Sequence, residues 1–151
     1  MSYDFKLNLE EIFETSKFGV LGTSLNNEVW TNPQFFTKDG KWNLYFRSLP
    51  DTKHMKNIKS NPNVSVSFFN SHQTEPYRAI QLSGVTKILK TKEEIEEVLP
   101  LYLGDKEDST VEEYLDDVHY SLVKIEIKEL YIFDQESFLD HRQLVDPKEY
   151  K

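Results

Sequence analysis

Residues 44–69, LYFRSLPDTKHMKNIKSNPNVSVSFF, decide how this chain folds. They continue a run in which Trp42, Leu44 and Phe46 alternate with Asn43, Tyr45 and Arg47, the period-2 pattern of a half-buried strand. Asp51 then offers a cap for a short helix from Thr52 to about Ser60, whose apolar face is only Met55 and Ile58. Asn61-Pro62-Asn63 stops that helix, and Val64, Val66 and Phe68 alternate with Ser65 and Ser67 in the next strand. Charge marks the same stretch. The 151 residues carry 18 Lys+Arg against 26 Asp+Glu, a net charge of -8. From Gly40 to Thr74 the only acid is Asp51, against Lys41, Arg47, Lys53, Lys56 and Lys59, so the window is +4 and the rest of the chain -12. A cationic island on an acidic chain points to an anionic ligand, with phosphate the commonest. The helix start adds free backbone N–H groups and a partial positive charge to the Thr52 hydroxyl and the Lys53 ammonium, with Arg47 at the end of the preceding strand. A short surface helix with ordinary exposed lysines explains the same residues equally well.

Working outward, the length suits one domain with one core. No cysteine is present, which removes disulfides and thiolate chemistry and fits a reducing compartment. The first residues, MSYDFKLNLEEIFE, lack the apolar segment of a signal peptide, and no apolar run is long enough to span a bilayer, so a soluble cytoplasmic protein without membrane partners is expected. A pI near 5.0 argues against nucleic acid as a partner, because neutralising phosphates needs a wide basic face.

Asn8 with Glu11 has the form of a capping box for a leading helix with Leu9, Ile12 and Phe13 on one face. Strands are expected at Phe18–Ser24, Glu28–Phe36 and Trp42–Arg47, with turns at Asn26-Asn27 and Lys38–Lys41, and Pro33 marking an edge or bulge. Further strands follow at Val64–Phe69, Ala79–Leu89 (Gly84 its expected bulge) and Leu122–Phe133, with a polar loop at Asn70–Tyr77. Thr91 with Glu94 opens a helix over Ile95, Val98, Leu99 and Tyr102, and Thr110 with Glu113 another over Val111, Tyr114, Leu115 and Val118. Residues 135–151 form a polar tail expected on the surface or on a partner subunit. Six strands in hairpin-like succession with short helices predict an α+β, mainly β domain, an antiparallel barrel or roll and not a doubly wound sheet. The four histidines show no metal-ligand spacing, and the acidic runs around Glu93–Glu97 suit solvated helix faces better than carboxylate catalysis. Trp30 and Trp42 suit core or interface packing, flavin stacking being the less common use.

The ordered set resembles the FMN-binding split barrels of the pyridoxamine 5′-phosphate oxidase superfamily. That family shows a strand of the type LYF-[TS], a loop, a short Lys-containing helix, Asn-Pro and a strand of the type V-S-L-x-F, matched here by residues 44–69. Phe18–Thr23, Asn32–Phe36 with Asp39-Gly40, Leu82–Thr86 and Leu130–Asp134 resemble its other strands, so the likeness runs over roughly residues 5–134. It implies a six-stranded antiparallel split β-barrel in a homodimer, with FMN at the subunit interface and a small-molecule electron donor or acceptor. Carried over by position, the resemblance makes Lys53 the phosphate lysine with Thr52 beside it, and Phe46 and Arg47 the strand-end pair touching the cofactor. The full cofactor-binding set it implies is Thr31, Asn32, Gln34, Phe35, Phe46, Arg47, Ser48, Thr52, Lys53 and Asn57, without a catalytic acid or base. Thr31 or Asn32 stands where many members have a phosphate-gripping Arg, with Arg47 a candidate replacement. His54 replaces a usual small residue, and Ala79 a Gln. After residue 134 only His141-Arg142 suggests the family's substrate-phosphate groups. The likeness is therefore nearer to the general-stress-protein branch, and vitamin B6 oxidation is not expected. The expectation is a flavin-dependent oxidoreductase of unknown substrate. Alternatives are a non-catalytic flavin-binding or stress-response protein, or a barrel using a deazaflavin, a haem or no cofactor.

Overall fold

A computed structural model describes residues 2–69 and 76–150. The elements run α1 Phe5–Thr15, β1 Phe18–Leu25, β2 Glu28–Phe35, β3 Thr37–Lys38, β4 Leu44–Ser48, α2 Lys53–Ser60, β5 Asn63–Phe69, β6 Arg78–Ile88, α3 Lys92–Leu103, a 3-10 turn Val111–Tyr114, β7 Ser121–Asp134, α4 Gln135–Phe138, β8 Arg142–Leu144 and a 3-10 turn Pro147–Tyr150. All eight strands form one antiparallel sheet in the order β2-β1-β5-β6-β7-β4-β3, with β8 added to β7. The sheet curls until β2 lies beside β4 without a ladder between them, and Gln34 Nε2 donates across the gap to the Arg47 carbonyl at 3.0 Å. This is a split barrel. Its six long strands are those the alternation predicts, and β3 and β8 are short additions. Most of the expected loop around Asn70, with His72, lies outside the described residues.

Inside the curl, Phe13, Phe36, Phe46 and Phe68 meet edge to face at centroid distances of 5.2–5.7 Å. Each ring is essentially fully buried, worth about 1.5–3 kcal/mol of transfer free energy apiece. A second cluster, with Tyr45, Leu89, Ile95, Leu99, Tyr114 and Leu122, packs α3 and the 111–114 turn on the outer face of β4. Strand β4 is therefore covered on both faces along Leu44–Phe46, and only its last residues, Arg47 and Ser48, reach open surface.

Local chemistry explains the agreements and the departures. Asn26 and Asn27 take positive φ (50° and 65°) and turn β1 into β2. The β6–β7 register slips at Ser83/Gly84, as the glycine foretold, and a Cβ on Gly84 would stand 2.6 Å from Ile125 Cγ2. Thr91 and Glu94 close their capping box. The leading helix is instead capped by Asp4, whose carboxylate accepts from Leu7 N at 2.9 Å, so it starts a turn earlier than Asn8 suggested. Thr52, not Asp51, is the N-cap of α2. Trp42 adopts φ 63° because Asp39 gathers the turn, accepting from Lys41 N, Asn43 N, Asn43 Nδ2 and Tyr45 Oη at 2.8–2.9 Å, so the strand begins at Leu44. The box at Thr110 forms, but its helix is one 3-10 turn. Asp116 takes the N–H groups of Val118 and His119, and Asp117 turns to φ 55°, leaving Val118 exposed. The tail folds back, with β8 on β7, Val145 buried and Arg142 over the Phe133 ring at 4.7 Å.

Candidate functional site

Strand β4 delivers two neighbouring residues to opposite faces, and each anchors a different corner. At the first corner, Ser48 ends the strand and α2 begins four residues later. The Thr52 hydroxyl makes no capping bond into α2. It donates to the Leu49 carbonyl at 3.1 Å and lies 3.2 Å from Ser48 Oγ. Both hydroxyls face His54 Nε2, at 2.7 Å from Ser48 and 3.2 Å from Thr52. Burial pushes the His54 imidazole below the ordinary histidine range, so it is neutral near pH 7. The first-turn N–H groups of α2 are therefore free of a side-chain cap. Lys53 Nζ sits 4.5 Å over the Trp30 ring of β2 and has no ion-pair partner among the described residues.

Strand β2 borders this corner as an edge, with β1 on one side and no ladder on the other. Alternation puts Trp30, Asn32 and Gln34 on one face and Thr31 and Phe35 on the other. The Asn32 amide donates to the Pro33 carbonyl at 3.2 Å, and its Oδ1 is buried without a hydrogen-bond donor among the described residues. Gln34 is spent on the Arg47 carbonyl, and Phe35 packs against Phe18 and Tyr102.

The second corner is built around Arg47. Its Nη1 and Nη2 donate to the two Asp108 oxygens at 3.1 and 3.2 Å, and Nη1 also donates to Tyr114 Oη at 3.2 Å. The guanidinium lies 4.8 Å from the Tyr120 ring and 5.5 Å from Tyr102. Burial works against its charge, but the bonds to Asp108 and Tyr114 more than offset that and hold it above the ordinary arginine range, while the same pairing pulls Asp108 down.

The structure thus gathers Ser48, Thr52 and Lys53 against β2, and brings the Arg47 main chain to Gln34. The Arg47 guanidinium is turned to the outer face. Phe46 places its ring in the core, and Asn57 is buried, donating to Thr23 Oγ1 at 3.0 Å to fix α2 on β1. Nor is the cationic window one cradle. Lys41 lies before β4, at the end opposite Arg47, Lys56 is exposed, and Lys59 donates to the Pro50 carbonyl at 3.2 Å. Sequence reasoning missed Trp30 as the platform for Lys53, although its alternation with Asn32 and Gln34 was visible. It also missed Asp108, 61 residues from its partner, for which no local signal exists.

Among the described residues no helix is long and apolar enough to cross a membrane, and no cluster of His, Asp or Glu is arranged to hold a metal ion. The family model described as pyridoxamine 5′-phosphate oxidase matches residues 5–133. No curated protein matches the chain by sequence. Among solved structures, a haem-binding protein from Mycobacterium smegmatis superposes with a TM-score of 0.77 at 14% identity, covering 99% of this chain and 61% of its own. General Stress Protein 26 from Bacillus anthracis gives 0.65 at 19% identity, over 93% of this chain and 98% of its own. A FAD-binding protein from Mesorhizobium loti gives 0.62 at 17% identity, over 82% and 90%. At these identities the superpositions establish the shared fold, and the family match carries the assignment: this chain belongs to the pyridoxamine 5′-phosphate oxidase family.

Proposed function

We propose that the protein binds FMN with its phosphate at the start of α2, and serves as a flavin-dependent oxidoreductase acting on a small-molecule electron donor or acceptor. The observation that carries the reading is the Lys53 corner. A cation without an acidic partner among the described residues and helix N–H groups free of a side-chain cap converge there beside the Ser48 and Thr52 hydroxyls, a polar corner that suits a phosphomonoester. The residues beyond it suit the rest of the cofactor. The edge of β2 would offer backbone donors and acceptors to a flat ring, and Asn32 Oδ1, without a donor among the described residues, would be an acceptor for a ring N–H. Thr31, Phe35 and the Arg47 main chain flank that edge, Phe46 supports it from the core, and Asn57 holds the helix in place. When bound, the flavin supplies the hydride or electron transfer, while the chain binds and orients it.

A second copy of the chain completes the site in this proposal. The outer edge of β2 carries Val29 at 82% and Trp30 at 41% exposure, one apolar side chain on each face beside edge backbone that a homodimer would cover. The haem alternative is the less favoured, because the buried His54 already directs Nε2 to Ser48 and Thr52. Titration of the purified protein with FMN, followed by flavin fluorescence, tests the reading. Lys53→Ala should weaken binding by about 10- to 100-fold, the worth of a charge-assisted contact. Unchanged FMN affinity in that variant overturns the phosphate assignment. Reduction of the bound flavin by NADH or NADPH with turnover of an acceptor separates an enzyme from a passive flavin carrier.

A further inference from the structure

A cavity of about 500 Å³ opens on the outer face, away from Lys53, between the start of β1, the end of β2 and the C-terminal end of α3. Its size falls within the usual range of small-molecule sites. Phe18, Phe35 and Tyr102 form one wall, ring edge against ring face at 5.3 and 5.6 Å, and Phe18 is 71% exposed. Arg47, whose guanidinium lies against Tyr102, and Asp108 line it as well, together with Lys17 and Lys106, Lys17 being paired with Glu14 at 3.0 Å.

We propose that this cavity binds a planar aromatic carboxylate, whose carboxylate replaces that of Asp108 on Arg47 while its ring packs on Phe18, Phe35 and Tyr102. The guanidinium is already set for this class of anion. It is held between tyrosine rings and grips a carboxylate through two parallel N–H···O bonds, the fork geometry that distinguishes Arg from Lys. The present occupant is exchangeable. Asp108 is half exposed and lies in the 105–110 segment, which has neither helix nor strand. Its side chain is too short to cover the aromatic wall, so a ligand that brings both the anion and a ring buries apolar surface that Asp108 leaves wet. Asp108 is thus an internal competitor for the cation, and removing its charge should raise affinity.

The inference stands apart from the FMN reading: Phe35 and Arg47 border both sites, but this one uses the Arg47 guanidinium on the outer face, and the other the Arg47 main chain and the Lys53 corner. The test is calorimetric titration of the full chain, before and after saturation with FMN, using 2-naphthoate as the probe and acetate and 2-naphthylmethanol as controls. The acid should bind at least ~10-fold more tightly than either control, because only it combines ring and anion. Asp108→Asn should tighten 2-naphthoate by about 10-fold, Arg47→Gln should abolish its binding, and Lys53→Ala should leave it unchanged. No binding to the wild type or to Asp108→Asn, equal binding of the alcohol, or loss of binding in Lys53→Ala overturns the proposal. If Arg47→Gln fails to fold, Asp108→Asn still decides. Affinity that does not rise in that variant shows that Asp108 does not compete. Failure of FMN to bind with 2-naphthoate binding retained would sink the cofactor reading and leave this one standing.

Discussion

Arg47 and Lys53 lie six residues apart, carry the same charge and stand for the same anion in the sequence, yet the fold gives them opposite circumstances. Arg47 is partly buried, paired with Asp108 and packed against Tyr102 and Tyr120. Lys53 rests on the exposed Trp30 and has no ion-pair partner among the described residues. The difference comes from alternation along β4. Phe46 turns inward, so Arg47 must turn outward onto the α3 layer, while the chain runs on through Ser48 to α2 on the other side. A count of local cations therefore measures the charge the chain supplies, and pairing with distant acids decides how much of it a ligand can use.

The largest way to break this picture is to remove its pivot. Phe46 is fully buried between Phe36 and His54, and Phe46→Ala should cost about 3–5 kcal/mol of unfolding free energy in urea titrations. Both corners should weaken together. A loss below about 1 kcal/mol would mean that the ring does not set the direction of its neighbours.

A smaller effect compares the two cations directly. Arg47→Ala should cost about 1–2 kcal/mol, from two aromatic contacts at roughly 0.5–1 kcal/mol each, with the half-exposed ion pair adding less. Lys53→Ala should cost about 0.5 kcal/mol, since its contact with Trp30 is exposed. Chemical denaturation of the two variants checks the order. If Lys53 proves the more costly, the description of one as structural and the other as free is wrong.

The same contrast explains which features were legible before the structure. Val64/Val66/Phe68, Val123/Ile125/Ile127, the Asn26-Asn27 turn, Gly84 and the Thr91–Glu94 box all state their local geometry within a few residues, and the structure adopts each one. Features that depend on a remote or competing partner were hidden. Asp108 reaches Arg47 across the α3 layer, Asp39 forces Trp42 into positive φ through four simultaneous bonds, and Asp116 ends the Thr110 turn by capturing two N–H groups. In each case a carboxylate decides the outcome, and nothing in the spacing shows which donors it will collect. The Lys53 corner was legible because a helix start is a local object. Its Trp30 platform required knowing that the β2 edge lies against α2.

The smallest expected effect concerns proton uptake at the Lys53 corner. Burial depresses the His54 pKa, so as pH falls below about 6.5 the unfolded chain takes up the proton before the folded one does. The contribution is fully present above that value, is lost as pH drops toward the depressed folded pKa, and levels off below it. Each unit of depression is worth about 1.4 kcal/mol. His119, raised by its pairing with Asp116, titrates nearby with the opposite sign, so wild-type stability alone does not isolate His54. The difference between wild type and His54→Gln, measured by denaturation from pH 7.5 to 5, does so, and it should narrow on acidification. An imidazolium here would also sit at the positive end of α2, which keeps the ring neutral in the free protein, whereas a phosphate dianion at that corner would favour the charged form. Saturation with FMN should therefore shrink the acid-side loss more in the wild type than in His54→Gln, where only the phosphate's own titration moves the profile. An FMN effect of equal size in the two proteins would place the phosphate away from the start of α2, and with it remove the distinction between a free cation at Lys53 and a committed one at Arg47.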